Sequence, residues 1–199
     1  MPAPARDLSA LMGSRICHDL ISPIGAIGNG VELLQMSGGA QSPELALIAQ
    51  SSDSANLRIR FFRVAFGASS PGQTIGENEL RDILRPGANL GKVRVGWHPP
   101  GAQPRQQVKL ALLVLQCFET AMPLGGLVDV QRDGDQWALT GTAERLDVNP
   151  PLWRLITGAP SNDDLTPAQV HFALIGPELA RQGRRITLQQ SDTRLRVQF

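Results

Sequence analysis

Excess charge of either sign is missing from this chain: 19 lysines and arginines stand against 18 aspartates and glutamates, a formal net charge of +1. A protein that grips nucleic acid by neutralising phosphates needs a strongly basic face, so no nucleic-acid partner is expected. Cysteine is scarce, and Cys17 and Cys117 lie far apart; together with the lack of a cationic, apolar leader before Asp7, this predicts a cytoplasmic protein. Long apolar runs are also lacking. The most apolar stretch, VKLALLVLQCF from Val108 to Phe118, contains Lys109 and falls well short of the roughly 20 residues of a membrane helix. It predicts a buried helix, and no membrane partner is expected.

What remains is a chain of 199 residues with 42% hydrophobic content, enough for one large domain or two small ones. From Leu8 to Leu34 apolar residues recur at steps of three and four: Ile16, Leu20, Ile24, Ile27, Val31 and Leu34. That spacing predicts a long amphipathic helix. SGGAQSP breaks it, with Ser42 as N-cap and Pro43 at the first position of a second helix. The second helix carries a heptad-like seam through Leu45, Ile48, Ser52, Ala55, Ile59, Phe62 and Phe66. A two-helix hairpin cannot cover its own apolar surface, so two copies are expected to form a homodimeric four-helix bundle.

GASSPGQTIGEN, residues 67–78, has linker composition. Beyond it the pattern predicts a short helix at 79–84, a strand in KVRVGWH and the buried helix at 107–122. A hairpin around Asp133-Gly134, a short helix at 152–156, and a longer helix opened by a Thr166–Gln169 capping box come next. Two closing strands, RRITLQQ and RLRVQF, complete it. The expected fold class is therefore α+β: an N-terminal helical hairpin, residues 1–70, followed by an α/β sandwich, residues 71–199.

SRICHDLISPIGAIGNG, residues 14–30, holds the candidate chemistry. At 100° per residue His18 lies about 200° from both Ile16 and Leu20, so it faces outward. Cys17 and Asp19 diverge from it on either side, no second histidine follows at i+4, and His98 and His171 stand in the other domain. Neither a metal site nor a Cys-His dyad fits that spacing. Cys17 and Cys117 are expected to pack, and His98 and His171 to be ordinary surface or helix residues. GAIGNG reverses the dinucleotide-binding order and falls inside a helix. Each glycine costs a helix about 1 kcal/mol relative to alanine, so close approach of another chain is expected near Gly25, Gly28 and Gly30. Around His18 the outward face carries Ser14, Arg15, Ser22, Gly25 and Asn29, with Ile21 about 60° away. A small, mostly uncharged strip with a nucleophile at its centre suits docking of another protein.

The string HDLISP resembles the H-box of sensor histidine kinases: His, an acidic residue, Leu, any residue, Ser or Thr, then Pro. RICHDLISPIGAIGNGVELL is similar to the ChpT family of bacterial histidine phosphotransferases, and the resemblance extends over the whole chain. It implies a dimeric bundle whose His18 carries a phosphoryl group, followed by a degenerate Bergerat-like ATPase sandwich. Where kinases hold magnesium with asparagines, QCFETAM offers Gln116 and Thr120; no D-x-G-x-G follows Trp137, and the glycine-rich loop before the last long helix is absent. The resemblance thus implies a phosphotransferase that neither binds nor hydrolyses ATP. It would take phosphoryl groups from the receiver domain of a hybrid histidine kinase and pass them to response regulators, in cell-cycle or motility control.

No cofactor or metal is expected on this chain, since Mg2+ would come with the receiver. An exposed imidazole is largely neutral near pH 7 and able to attack phosphorus. The resemblance gives Asp19 the orienting of the ring through Nδ1, and the charge of Arg15 is expected to meet the phosphoryl group. Ser22 matches a position used in kinase phosphatase reactions, and Pro23 is expected to kink the helix. A non-catalytic dimeric adaptor or a degenerate kinase is the alternative.

Overall fold

Thirty residues from Leu8 to Ser37 form α1, a single helix that continues through a buried Pro23. The structure, a computed structural model, describes residues 8–37, 43–157 and 165–199. Helix α2 spans Pro43–Ala65, with Pro43 first, where its missing N–H is no loss, and Glu44 in the first turn. Ser42, the expected cap, lies outside the described residues. Gly30 meets Ile48, and Asp19 meets Arg58, so the two helices run antiparallel.

The hairpin treats the glycines and the apolar residues of α1 unequally. Only Gly30 of the three glycines is crowded, and its neighbour belongs to the same chain: a Cβ there would stand 2.5 Å from Ile48 Cγ1, whereas at Gly25 and Gly28 it would enter open space. The apolar stripe of α1 also splits. Ile16, Leu20, Ile27 and Leu34 are half-buried, but Ile24 and Val31 remain 56% and 40% exposed. On α2, Ala55 and Phe62 are buried while Leu45 and Ile59 are exposed. Two helices bury only the stripes that face each other, and the flanking apolar residues of each stay outside.

The segment expected to be a linker is fastened at both ends. Strand β1, Thr74–Ile75, pairs antiparallel with a second short strand, Gln103–Pro104, and Ile75 is buried. The next helix along, Arg105–Ala121, reaches back to the end of α2. Arg105 donates to the Arg63 carbonyl at 2.7 Å, Lys109 to the Gly67 carbonyl at 2.9 Å and Gln106 to the Ser69 carbonyl at 3.5 Å. A helix C-terminus leaves carbonyls without partners, and these side chains supply them.

Helix α3, Glu77–Ile83, leads to β2, Val93–Trp97; the Gln103–Pro104 strand is β3 and Arg105–Ala121 is α4. Strands β4, Gly126–Asp133, and β5, Gln136–Thr142, form the expected hairpin, turning at Gly134 with φ of 55°. Helices α5, Pro150–Ile156, and α6, Val170–Gln182, precede β6, Thr187–Gln190, and β7, Arg194–Gln198. The main sheet runs β2-β4-β5-β7-β6, with β2 and β4 parallel and the other neighbours antiparallel. Alternate residues of β4, β5 and β7, among them Val128, Val130, Leu139 and Val197, point into a shared core with α4, α5 and α6. At its centre Phe118 of α4 meets Trp153 of α5, which meets Phe172 of α6, each pair edge to face.

Local chemistry explains the helix starts. The Asn149 side chain accepts from the Leu152 N–H, with Pro150 following. Thr166 and Gln169 form the expected capping box, here around a 3₁₀ turn, Pro167–Gln169, that runs into α6. Inside α4, Lys109 is 3.4 Å from the buried Glu178 of α6, which is how a lysine is accommodated in so apolar a helix. Among the described residues no helix is long and apolar enough to cross a membrane. The fold is α+β, a helical hairpin joined to one helical layer over a mixed sheet.

Candidate functional site

With Ile16 and Leu20 turned toward the core cluster, the helical phase carries His18 to the opposite side, where its side chain is 85% exposed. Asp19 behaves differently from its neighbour. Its carboxylate is only 11% exposed and folds back so that Oδ1 lies 3.0 Å from His18 Nδ1. The other oxygen accepts from Arg15 Nε at 2.7 Å, and Arg58 of α2 brings Nη1 to 3.9 Å from it. An ionised carboxylate can only accept, so the proton of a neutral imidazole belongs on Nδ1 and the lone pair on Nε2.

Arg15 is turned into the protein. Besides Asp19 it donates through Nη1 to the Ala168 carbonyl at 2.9 Å, joining α1 to the turn that opens α6. Beside His18 this juncture leaves a cavity of about 640 Å³, lined by Cys17, Ile21 and Asp19 on α1 and by Thr166–Ala168 opposite. Ile21 is 69% exposed. Ser22, Gly25 and Asn29 are exposed farther along α1 and do not line that cavity. Cys17, expected to pack, is exposed, because the core stripe runs through Ile16 on its other side. Cys117 is fully buried, and burial pushes its thiol well above the usual range.

Two groups from the other half of the chain stand near these charges. Glu119 of α4 is half-buried, and desolvation raises its carboxyl, with Arg15 and Arg58 opposing the shift and Asp19 adding to it. His171 of α6 is 2% exposed, its ring 4.6 Å from that of Phe172, and neither nitrogen has a hydrogen-bond partner among the described residues. Burial, then the positive charge of Arg15, lowers its pKa to about 3. The unfolded chain therefore takes up this proton near pH 6.5 while the folded chain refuses it, so stability present above that pH is lost as the pH falls. From pH 7 to pH 5 this one residue should remove about 2 kcal/mol. Urea denaturation of His171→Phe should show that part of the slope gone; equal slopes in variant and wild type would contradict it. His98, by contrast, sits on the exposed side of the sheet, 2.8 Å from Asp129.

Arg58, Glu119 and the 166–168 turn escaped the sequence-based selection. One signal was available for Arg58: it stands three residues after Ala55 and four before Phe62, a stripe position where an apolar side chain would be ordinary.

A family model described as the histidine phosphotransferase C-terminal domain matches residues 77–194. Protein phosphotransferase ChpT of Brucella abortus (strain 2308) is 36% identical over 194 residues, covering 92% of this chain and 90% of that protein. A solved structure described as a bacterial phosphotransferase superposes with a TM-score of 0.76 and 31% identity, covering 100% of this chain and 98% of that one.

Proposed function

Because the chain belongs to the histidine phosphotransferases, we propose that it is a phosphorelay carrier whose His18 takes a phosphoryl group from a receiver-domain aspartate and passes it to response regulators. The observation that carries this reading is the exposed imidazole with its Nδ1 held by Asp19. In the forward step the Nε2 lone pair forms the N–P bond in line as the P–O bond of the aspartyl phosphate breaks. The receiver's carboxylate leaves with that electron pair. Nε2 carries no proton in this tautomer, so no base is needed, and Asp19 faces the positive ring that results. The second receiver's aspartate then attacks phosphorus, and His18 returns to its neutral form.

Mg2+ belongs to the receiver's own site. Arg15, engaged by Asp19 and Ala168, acts on the reaction by fixing Asp19. Ile21, Ser22, Gly25 and Asn29 form the docking strip, its exposed Ile21 and side-chain-free glycine suiting close contact with a protein surface.

Residues 1–70 dimerise and carry the phosphoryl group; residues 71–199 are a Bergerat-like layer that does not use ATP. Gln116, in the place where the kinase pattern has asparagine, is buried within α4. The exposed Ile24, Val31, Leu45 and Ile59 support a homodimeric four-helix bundle. Replacing Ile24 and Val31 together by glutamate should weaken the dimer by at least about 100-fold, as two charges enter an apolar seam. Light scattering across a concentration series reads this, and a wild type monomeric at tens of micromolar would overturn the dimer.

The function is tested by mixing the protein with a phosphorylated receiver and magnesium and, separately, with labelled ATP alone. Acid-labile label in the first mixture only is expected. Label from ATP alone would make the protein a kinase, and no label with any of several receivers would make it an adaptor.

A further inference from the structure

We propose that Arg58 is a positioning residue for phosphotransfer, holding the Asp19 carboxylate so that one oxygen stays on His18 Nδ1 and the Nε2 lone pair is free. This rests on the reading of His18 as phosphoryl acceptor. Asp19 is almost closed off from water, so its orientation is set by its neighbours. Arg15 approaches one oxygen through Nε while its Nη1 is tied to the Ala168 carbonyl. Arg58 comes to the same oxygen from the other helix at 3.9 Å, a charge contact rather than a hydrogen bond. One carboxylate oxygen therefore faces both guanidinium groups, and the other is left to the imidazole.

Arg58 is poorly explained as packing. Its Nε is shut off from solvent with no hydrogen-bond partner among the described residues, and a buried unmatched donor costs stability. Its place on α2, between buried Ala55 and Phe62, would accept an apolar side chain without that loss. What the arginine adds there is a second positive charge beside Asp19. The cluster draws on both halves of the chain, because Glu119 of α4 feels Arg15, Asp19 and Arg58 together.

Without the Arg58 charge, a carboxylate beside a single guanidinium tends toward the two-toothed pairing that arginine favours. Both oxygens would then turn to Arg15, and His18 Nδ1 would lose its acceptor. Part of the population would move its proton to Nε2, where it blocks attack.

The test uses Arg58→Met, which keeps most of the side-chain stem and removes the charge, and Arg58→Lys, which keeps the charge. Transfer from a phosphorylated receiver at saturating concentration should fall by about 10-fold in Arg58→Met, with receiver affinity unchanged, and recover to within about 3-fold in Arg58→Lys. Nitrogen-15 NMR of His18, recorded without any receiver, should show the Nδ1–H tautomer dominant in wild type and in Arg58→Lys and a mixture in Arg58→Met. Unchanged rate and tautomer in Arg58→Met, with wild type active, would overturn the role of Arg58 alone. A wild type that accepts no phosphoryl group would instead overturn the reading of His18.

Discussion

His18→Ala is expected to accept no phosphoryl group, the transfer rate falling by at least about 1000-fold, because the atom that forms the N–P bond is gone and no neighbour can replace it. Cys17 diverges from His18 around the helix, Ser22 lies outside the cavity, and the other two histidines stand on α6 and beside the sheet. The same substitution should move folding stability by less than about 0.5 kcal/mol, since the side chain is almost wholly exposed and makes one hydrogen bond. Loss of activity with an unchanged urea transition separates chemistry from folding. His98→Ala and His171→Phe should both retain full acceptance; label surviving in His18→Ala would remove the site.

Phe118→Ala should do the reverse, costing about 3–5 kcal/mol of stability while leaving the chemistry of whatever remains folded intact. Phe118 has no solvent exposure and meets Trp153 at 6.1 Å between ring centroids. Its ring lies over Gly141 of β5, where a Cβ would stand 2.6 Å from two ring atoms. The backbone glycine and the aromatic ring are thus fitted to each other, and the sheet below offers little to collapse into the space. Trp153 would keep Phe172 but lose the other of its two edge-to-face neighbours. Denaturant midpoints measure the loss, and a cost under about 1.5 kcal/mol would mean that the three-helix layer is looser than its burial indicates.

Much of this architecture was legible in the sequence because local rules governed it. The Asp133-Gly134 turn, the Thr166–Gln169 capping box and the alternating runs of β4 and β5 are each decided within a few residues, and each appears where the pattern predicts it. Helical phase alone sent His18 outward. What the sequence could not show depends on distant partners. Strands β1 and β3 are two residues long and pair across residues 76–102, so neither carries a period of its own. The fastening of residues 63–69 by Arg105, Gln106 and Lys109 joins segments some forty residues apart, and their composition still resembles a loose connection.

The site divides along the same line. His18 and Asp19 are neighbours in sequence, yet helical angles alone set them about 100° apart. Their bond exists because Arg15, one turn earlier, and Arg58, from the opposite helix, set the Asp19 carboxylate. Ile24 and Val31 show the converse: their spacing marks them as apolar-face residues, but only the position of α2 decides which apolar residues one chain covers.

The nitrogen that carries phosphorus tests the account most directly. Protein labelled with nitrogen-15 in histidine, phosphorylated by a receiver in magnesium and studied by phosphorus-31 and nitrogen-15 NMR, should show a single N–P coupling, at Nε2 of His18, with Nδ1 still protonated. Phosphorus on Nδ1 of His18, or on any other residue, would contradict it.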